Sequence, residues 1–227
     1  GTVYVSVTTS QGGGYAIQAL ASDGSSRSGW PVVLAGGAQG FDVALDGTVV
    51  AWWYEHATME IVLDASRTVF TMLDAKGRTL PGWPRGSAGA ASGPVVWRDG
   101  SIYYVSAGGK VWGHDRTGEI IHGWPYALPM PIAPSLRDDG LLIFLADSGV
   151  FVLDRQGRDA PGWPYRTGGT LMAPGCDTPG WPYPMSAVGS HGVMYLAVWD
   201  GTSAANILAL DPQGRSVRGW PYHVPVG

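Results

Sequence analysis

Charged residues, cysteine and long apolar runs are all scarce in this sequence. Charged side chains occupy 14% of the 227 positions, the formal net charge is −4, and only two of the 14 cationic residues are lysine. Because neutralising nucleic-acid phosphates takes grouped Lys and Arg, we expect no nucleic-acid partner. No apolar run approaches the roughly 20 residues of a membrane-spanning helix, so we expect no transmembrane segment in this chain.

The single cysteine, Cys176, excludes a disulfide within the chain. The sequence also has no Gly-x-Ser-x-Gly elbow, phosphate-binding glycine loop or His-Glu-x-x-His motif. In calcium-binding loops the carboxylate residues occupy every second position. Asp138 and Asp139 are adjacent instead, which indicates a turn. The histidines fall at unrelated positions, which are His56, His114, His122, His191 and His223. We therefore expect neither a metal nor a cofactor.

Glycine, proline and aromatic residues are plentiful instead, with 35 Gly, 17 Pro, 11 Trp and 10 Tyr. Gly and Pro placed between apolar runs mark turns. Disordered chains have few aromatic residues and a high net charge, and this chain has neither property. The composition therefore predicts many short strands joined by tight turns.

One pattern recurs five times at fixed spacing. An Asp is followed by Gly three residues later. Six residues after that Gly comes the Trp of a Gly-Trp-Pro sequence. In the first copy Ala21 replaces the Asp. The five tryptophans are Trp30, Trp83, Trp124, Trp163 and Trp220, and the four aspartates are Asp74, Asp115, Asp154 and Asp211. A repeat of this kind is the first guide to architecture.

The third copy shows what one repeat contains. Residues 93–98 form a short apolar segment, and the following Asp99-Gly100 is a dipeptide favoured in two-residue hairpin turns. Two further segments rich in β-branched and aromatic residues follow, and a fourth begins at Trp124, 41 residues after Trp83. A four-stranded meander with this period is typical of a β-propeller blade.

We therefore predict an all-β fold, a β-propeller of about five four-stranded antiparallel blades. Gly1 aligns with the hairpin glycine of later repeats, so we expect the first blade to lack its innermost strand and the protein to continue beyond one or both ends. A sixth Gly-Trp-Pro, at Trp181, lies in an inserted loop. The predicted blades are approximately residues 1–36, 37–88, 89–129, 130–169 and 185–227, with the insertion at 170–184.

The repeated residue types favour an architectural role over a chemical one. Asp accepts hydrogen bonds from backbone N–H groups in its own turn, and Gly takes the left-handed conformation there. Pro donates no ladder bond, which suits an outer edge strand. A Trp buries about 200 Å², so we expect each repeated Trp to lie between adjacent blades. Because the aspartates occupy equivalent turns, they cannot converge on one site.

The pattern resembles the pyrroloquinoline-quinone-type repeat of tryptophan-docking β-propellers. It is carried by Val3-Tyr4-Val5, Ile102-Tyr103-Tyr104, Ala209-Leu210-Asp211 and the five Gly-Trp pairs. That family includes non-catalytic scaffolds, among them the propeller lipoprotein of outer-membrane protein assembly, and quinone- or haem-dependent dehydrogenases outside the cytoplasm. The dehydrogenases typically carry a vicinal cysteine pair, which this chain lacks. The resemblance implies the non-catalytic branch and an extracytoplasmic location (periplasmic, cell-surface or secreted).

Five aromatic residues depart from the repeat and are candidates for binding: Trp52, Trp53, Tyr54, Trp97 and Trp199. Aromatic side chains can anchor a partner protein or stack on a sugar, and the alternative is extra packing between blades or covered loop surface. Our leading interpretation is a non-enzymatic scaffold or accessory subunit that binds another protein or belongs to a larger assembly.

Two other function classes stay open from the sequence. A carbohydrate-binding propeller lectin would place sugar sites between blades. A fragment of a propeller glycosidase or quinoprotein dehydrogenase is the third class. A glycosidase needs a pair or trio of inward carboxylates, and Asp42 and Asp147 are the best candidates. The alternative is that both are solvated loop residues.

Overall fold

The chain forms antiparallel sheets throughout the part that the structure describes. The structure is a computed structural model, and it describes residues 1–8, 15–34, 38–44, 46–55, 67–87, 89, 91–128, 134–146, 149–167, 186–199 and 205–224. Within these ranges nineteen strands make five sheets, and one short 3₁₀ turn spans Ser190–Gly192.

Each sheet is built from strands that are consecutive in the chain. The first sheet contains β1 (Val3–Thr8), β2 (Tyr15–Leu20) and β3 (Val32–Leu34). The second contains β4 (Ala38–Val43), β5 (Val49–Glu55), β6 (Arg67–Leu73) and β7 (Arg85–Gly86). The third contains β8 (Val95–Val96), β9 (Ile102–Ser106), β10 (Lys110–His114) and β11 (Tyr126–Ala127).

The last two sheets repeat the same plan. The fourth contains β12 (Ser135–Leu136), β13 (Leu142–Ala146), β14 (Gly149–Leu153) and β15 (Tyr165–Arg166). The fifth contains β16 (Ser186–Val188), β17 (Met194–Trp199), β18 (Ala205–Leu210) and β19 (Tyr222–Val224). These sheets confirm the all-β prediction, and within the described residues the first sheet has three strands where each of the others has four.

The chain divides into two compact units. One comprises residues 1–107 and 112–121, and the other comprises residues 108–111 and 122–227. The predicted blade boundaries and the single-domain description stay predictions, and the proposed insertion at 170–184 lies outside the described residues. Among the described residues no helix is long and apolar enough to cross a membrane.

Each unit has its own apolar core. In the first unit, Ile17 and Ala19 of β2 and Trp30 pack with Val49 of β5 and Leu73 of β6. In the second unit, every residue of β13 and β14 is buried, on both alternations of each strand. Such strands lie in sheets that are covered on both faces, which is the environment that a blade between two other blades requires.

Candidate functional site

The repeated aspartates hold their own turns. Asp154 Oδ1 accepts hydrogen bonds from the backbone N–H groups of Gln156 (2.8 Å) and Arg158 (3.0 Å), and Oδ2 accepts one from Arg158 Nε (2.7 Å). Asp74 and Asp211 make the same set of contacts. Burial raises the pKa of Asp154, but these hydrogen bonds outweigh it and lower the pKa below its usual value. The carboxylates are therefore ionised and engaged in turn structure.

Four of the repeated tryptophans bind the turn of the following repeat. The indole Nε1–H donates to the backbone carbonyl of the residue directly after the turn Asp, and each ring is only 6–7% exposed. The pairs are Trp30 with Ala75 (3.1 Å), Trp83 with Arg116 (2.9 Å), Trp124 with Arg155 (2.8 Å) and Trp163 with Pro212 (3.2 Å). We call this arrangement, a Trp and the turn that accepts its indole N–H, a tryptophan dock.

Glycine is required in each tryptophan dock because two backbones approach closely. A Cβ on Gly162 would lie 2.0 Å from the Gln213 carbonyl oxygen, and one on Gly214 would lie 2.8 Å from the Gly162 carbonyl oxygen. Both glycines also have positive φ, 88° and 75°. The docks of Trp30, Trp83 and Trp124 repeat this close approach. In all five repeats the Trp-Pro peptide is cis.

The fifth repeated tryptophan, Trp220, has different surroundings. It is partly exposed, and a Cβ on the preceding Gly219 would meet nothing within 4 Å. Tyr195 packs against its ring, with centroids 5.5 Å apart at 65°. In the register of the fifth sheet, Tyr195 pairs with Ala209 and Ile207 pairs with Tyr222, so these side chains share one face. We call Tyr195, Ile207, Ala209, Trp220 and Tyr222 the Trp220 face.

The same positions of the first sheet are covered. There Tyr4 pairs with Ala19, Ile17 pairs with Val32, and Tyr4 contacts the Trp30 ring edge-on at 5.4 Å. All five side chains belong to the core that includes residues of β5 and β6. In contrast, Tyr222 on the Trp220 face is 57% exposed.

A second exposed apolar surface lies on the opposite face of the first sheet. Val3 pairs with Leu20, Val7 pairs with Ala16, and Ala16 pairs with Val33. Val3, Val7 and Val33 are exposed, Val3 by 56%. A Cβ on Gly24, in the turn of this repeat, would meet nothing within 4 Å. Gln18 pairs with Val5 on the same face, and Ala16 is buried there. We call the set Val3, Val5, Val7, Ala16, Gln18, Leu20 and Val33 the Val3 face.

The five aromatic binding candidates do not share one surface. Trp52 and Trp53 are neighbours on β5, so they lie on opposite faces of the second sheet. Trp53 is 7% exposed within the core that contains Trp30, and Trp52 packs against the core that contains Phe70. Their binding roles stay predictions.

The other candidates lie elsewhere. Tyr54 is half-buried, and burial raises its pKa. Trp97 is partly exposed, with the Arg98 guanidinium carbon 5.9 Å from its ring centroid. Trp199 ends β17, and its side chain lies outside the described part of the chain.

The candidate carboxylates and histidines show no converging arrangement in the described ranges. Asp42 Oδ1 accepts the N–H of Val43 (2.7 Å), and Asp147 lies outside the described residues, as do His56 and Cys176. Among the described residues, no three His, Cys, Asp or Glu side chains group closely enough to hold a metal ion.

One buried polar cluster occupies positions where the described parts of the other repeats have apolar side chains. His114 Nδ1–H donates to the Gly118 carbonyl (3.1 Å), and His114 Nε2 lies 3.2 Å from the Tyr104 hydroxyl, which donates to it. Burial lowers the pKa of His114 and outweighs the opposing effect of the Gly118 carbonyl. In the sequence, this cluster could have been found from His114, which stands at a strand position where the other repeats have Leu.

A salt bridge also connects the second and third repeats. Arg116 donates to the Asp46 carboxylate and to the Thr48 hydroxyl (3.0 Å). Partial burial raises the pKa of Asp46, but the hydrogen bonds from Arg116 and Thr48 outweigh it and bring the pKa to about 2. This pair joins the hairpin turn of one repeat to the Asp-x-x-Gly turn of the next, so it supports the packing of the two repeats.

No protein-family model matches the chain, and no curated protein sequence matches it. Solved structures do resemble it. BamB from Moraxella catarrhalis is 17% identical over 95% of this chain and 63% of its own, with a TM-score of 0.58. A streptogramin B lyase is 15% identical over 98% of this chain and 69% of its own, with a TM-score of 0.56.

A catalytically inactive virginiamycin B lyase from Staphylococcus aureus, solved with quinupristin, is 14% identical and has a TM-score of 0.54. It covers 100% of this chain, which spans 75% of the lyase. At these identities the likeness shows the fold alone. These proteins are β-propellers. Together with the five consecutive antiparallel sheets, the likeness confirms the predicted fold class: this chain is an all-β protein of the β-propeller class.

Proposed function

We propose that this chain is a non-enzymatic β-propeller scaffold that binds another protein outside the cytoplasm. The observation that carries the proposal is the Trp220 face, where Tyr195, Ile207, Ala209 and Trp220 repeat four core side chains of the first sheet and Tyr222 stands in the place of Val32. Both tyrosines are exposed there. Contiguous apolar surface is typical of protein-interaction sites. Tyr and Trp are also the residue types that contribute most to binding energy in such interfaces.

The roles of the polar groups support a scaffold. The carboxylates of Asp74, Asp154 and Asp211 bind backbone N–H groups and an arginine of their own turn. His114 is buried between Tyr104 and the Gly118 carbonyl. Groups that catalyse reactions need access to a substrate, and these groups are committed to the fold. The extracytoplasmic location is supported by the resemblance of the repeat to the pyrroloquinoline-quinone type.

The aromatic candidates extend this proposal. Trp97, beneath the Arg98 guanidinium, and Tyr54 are partly exposed and can contribute further contacts to a partner. Trp52 and Trp53 would act by supporting β5, since both pack against apolar cores.

Site-specific photo-cross-linking tests the proposal. A benzophenone amino acid replaces Tyr222, which is 57% exposed on the Trp220 face. The matched control replaces Glu119, whose side chain is 74% exposed in a turn of the third repeat. Irradiation of the cells that make this protein should give a discrete protein adduct from position 222 and none from position 119. Equal labelling at both positions, or none at 222, would contradict the proposal.

A further inference from the structure

We infer that the Trp83 dock is a pH-sensitive junction, which opens locally in mildly acidic solution because His114 takes up a proton. This dock joins Trp83 to the turn at residues 115–119, where the Arg116 carbonyl accepts the indole N–H (2.9 Å). His114 is the residue directly before that turn. The inference concerns a conformational change within the first unit, and it does not depend on the proposed function.

His114 is connected to the dock through Gly118. The Gly118 carbonyl accepts the hydrogen bond of His114 Nδ1 (3.1 Å). A Cβ on Gly118 would lie 2.8 Å from the Gly82 carbonyl oxygen, so Gly118 also makes the close backbone contact with the segment that carries Trp83. The Trp83 ring lies edge-on to the imidazole, with centroids 6.4 Å apart at 61°. A displacement of the turn therefore changes the surroundings of His114 and the docking of Trp83 together.

The closed dock holds His114 in its neutral form. Because the Gly118 carbonyl can only accept, Nδ1 carries the proton and Nε2 accepts the Tyr104 hydroxyl (3.2 Å). A second proton would occupy Nε2 and force the hydroxyl to turn its own proton away. Tyr104 is 2% exposed, and His114 is its hydrogen-bond partner in the part of the chain that the structure describes. A buried donor without an acceptor is costly, so the closed dock disfavours the imidazolium.

The charged groups near His114 are engaged in other contacts. Asp115 accepts hydrogen bonds from N–H groups of its own turn, and Glu119 forms a salt bridge with Arg85 (2.9 Å). Arg85 also packs against Gly118, because a Cβ there would lie 2.6 Å from Arg85 Nε. Burial and the Arg85 charge lower the pKa of His114, and together they outweigh the Gly118 carbonyl and the two carboxylates.

Opening of the turn removes these constraints. When residues 115–119 move away from Trp83, the Gly118 carbonyl leaves Nδ1 and water reaches the imidazole. The open form then binds a proton with the ordinary pKa of 6.5, whereas the closed form has a lower pKa. As the pH falls below 6.5, the proton therefore stabilises the open form and not the closed one. Between about pH 7.5 and about pH 5.5 the open population should rise by up to about tenfold.

In the other three docks that the structure describes, leucine holds the place of His114. Leucine takes up no proton, so acid should leave these docks closed. The leucines are Leu73 before the turn that accepts Trp30, Leu153 before the turn that accepts Trp124, and Leu210 before the turn that accepts Trp163.

Amide hydrogen exchange at two matched glycines tests the inference. The Gly118 N–H donates to the Asp115 carbonyl (2.9 Å), and the Gly157 N–H donates to the Asp154 carbonyl (3.0 Å) in the turn that accepts Trp124. Nuclear magnetic resonance follows exchange in the full chain at about pH 7.5 and about pH 5.5. Dividing each rate by that of an unstructured peptide at the same pH gives the open fraction. This fraction should rise several-fold, up to about tenfold, at Gly118 and stay constant at Gly157.

The double variant Tyr104→Phe with His114→Leu is the control. It copies the pair at these places of the fourth sheet and keeps the other histidines. Its open fraction at Gly118 should no longer depend on pH. The comparison of the two glycines in the wild type decides the matter by itself if the double variant does not fold.

Three outcomes would overturn the inference. One is an open fraction at Gly118 that stays constant in the wild type, and another is a rise that the double variant retains. The third is an equal rise at Gly118 and Gly157, because the proton would then act through unfolding of the whole chain and not through the Trp83 dock.

Discussion

Trp163 and Trp220 occupy the same position in consecutive repeats and have different environments. Trp163 is 7% exposed, donates to the Pro212 carbonyl and packs in the core of its unit. Trp220 is partly exposed and contacts Tyr195. Both follow a Gly and precede a Pro in a cis peptide. A repeat therefore specifies the shape of the surface around its Trp, whereas the packing of that surface determines how much free energy the Trp contributes.

The largest expected contrast comes from removing each indole. Trp163→Ala should lower the free energy of unfolding by about 3–5 kcal/mol, the usual cost of emptying a large aromatic site in a core. Trp220→Ala should cost about 1 kcal/mol, because it removes little more than one aromatic pair. Denaturant titration followed by circular dichroism, at low micromolar protein concentration, measures both.

Phenylalanine variants separate the hydrogen bond from the ring. Trp163→Phe removes the indole donor of the Pro212 carbonyl, which keeps Arg137 Nη1 as a second donor (3.1 Å), so we expect a cost of about 0.5–1.5 kcal/mol. Trp220→Phe keeps the contact with Tyr195 and should change stability by less than about 0.5 kcal/mol. Equal losses at the two positions would show that Trp220 is docked as firmly as Trp163, and would remove the basis of the comparison.

Glycine substitutions give the next contrast. Gly162→Ala combines left-handed strain of about 1–2 kcal/mol with overpacking of about 1–3 kcal/mol, because the new Cβ would lie 2.0 Å from the Gln213 carbonyl oxygen. Gly219→Ala has the strain without the collision. The difference between the two unfolding free energies should therefore be about 1–3 kcal/mol. A difference near zero would mean that the backbone beside Trp163 can move apart freely.

The fold followed from the sequence because its signals are local and repeated. Asp-x-x-Gly turns, hairpin dipeptides and apolar segments each have a short-range physical cause, and five copies made their spacing unambiguous. The alignment of Gly1 with later hairpin glycines was enough to predict three strands in the first sheet. The acceptor of each indole N–H was not predictable, because it depends on how one sheet packs against the next.

The candidate site was harder to predict because it depends on exposure. Trp52 and Trp53 broke the repeat in the same way, yet one packs on each face of β5. Tyr195 and Tyr222 fit the repeat, so their sequence positions gave no sign that both are exposed. The residues that depart from the repeat therefore identified unusual packing at β5. The exposed surface of the fifth sheet, in contrast, is formed by residues that follow the repeat.

The smallest effect that we predict concerns His114, which differs from its equivalent in the fourth sheet. Tyr104 and His114 are the third residue of β9 and the last of β10, and Phe144 and Leu153 hold these places in β13 and β14. Burial lowers the pKa of His114 from its ordinary 6.5. Below that pH the unfolded state binds a proton that the folded state does not. Stability should therefore fall as the pH decreases from 6.5 toward the lower pKa of the folded protein.

The double variant Tyr104→Phe with His114→Leu removes the titrating group and copies the pair used in the fourth sheet. It should lose the stability change between pH 6.5 and about 5, a window that lies above the ordinary range of carboxylates. His114→Leu alone is the control for packing, because it leaves the buried Tyr104 hydroxyl without an acceptor and should be less stable than the double variant at every pH. If the double variant keeps the full wild-type dependence of unfolding free energy on pH in this window, that dependence arises from another group and not from His114.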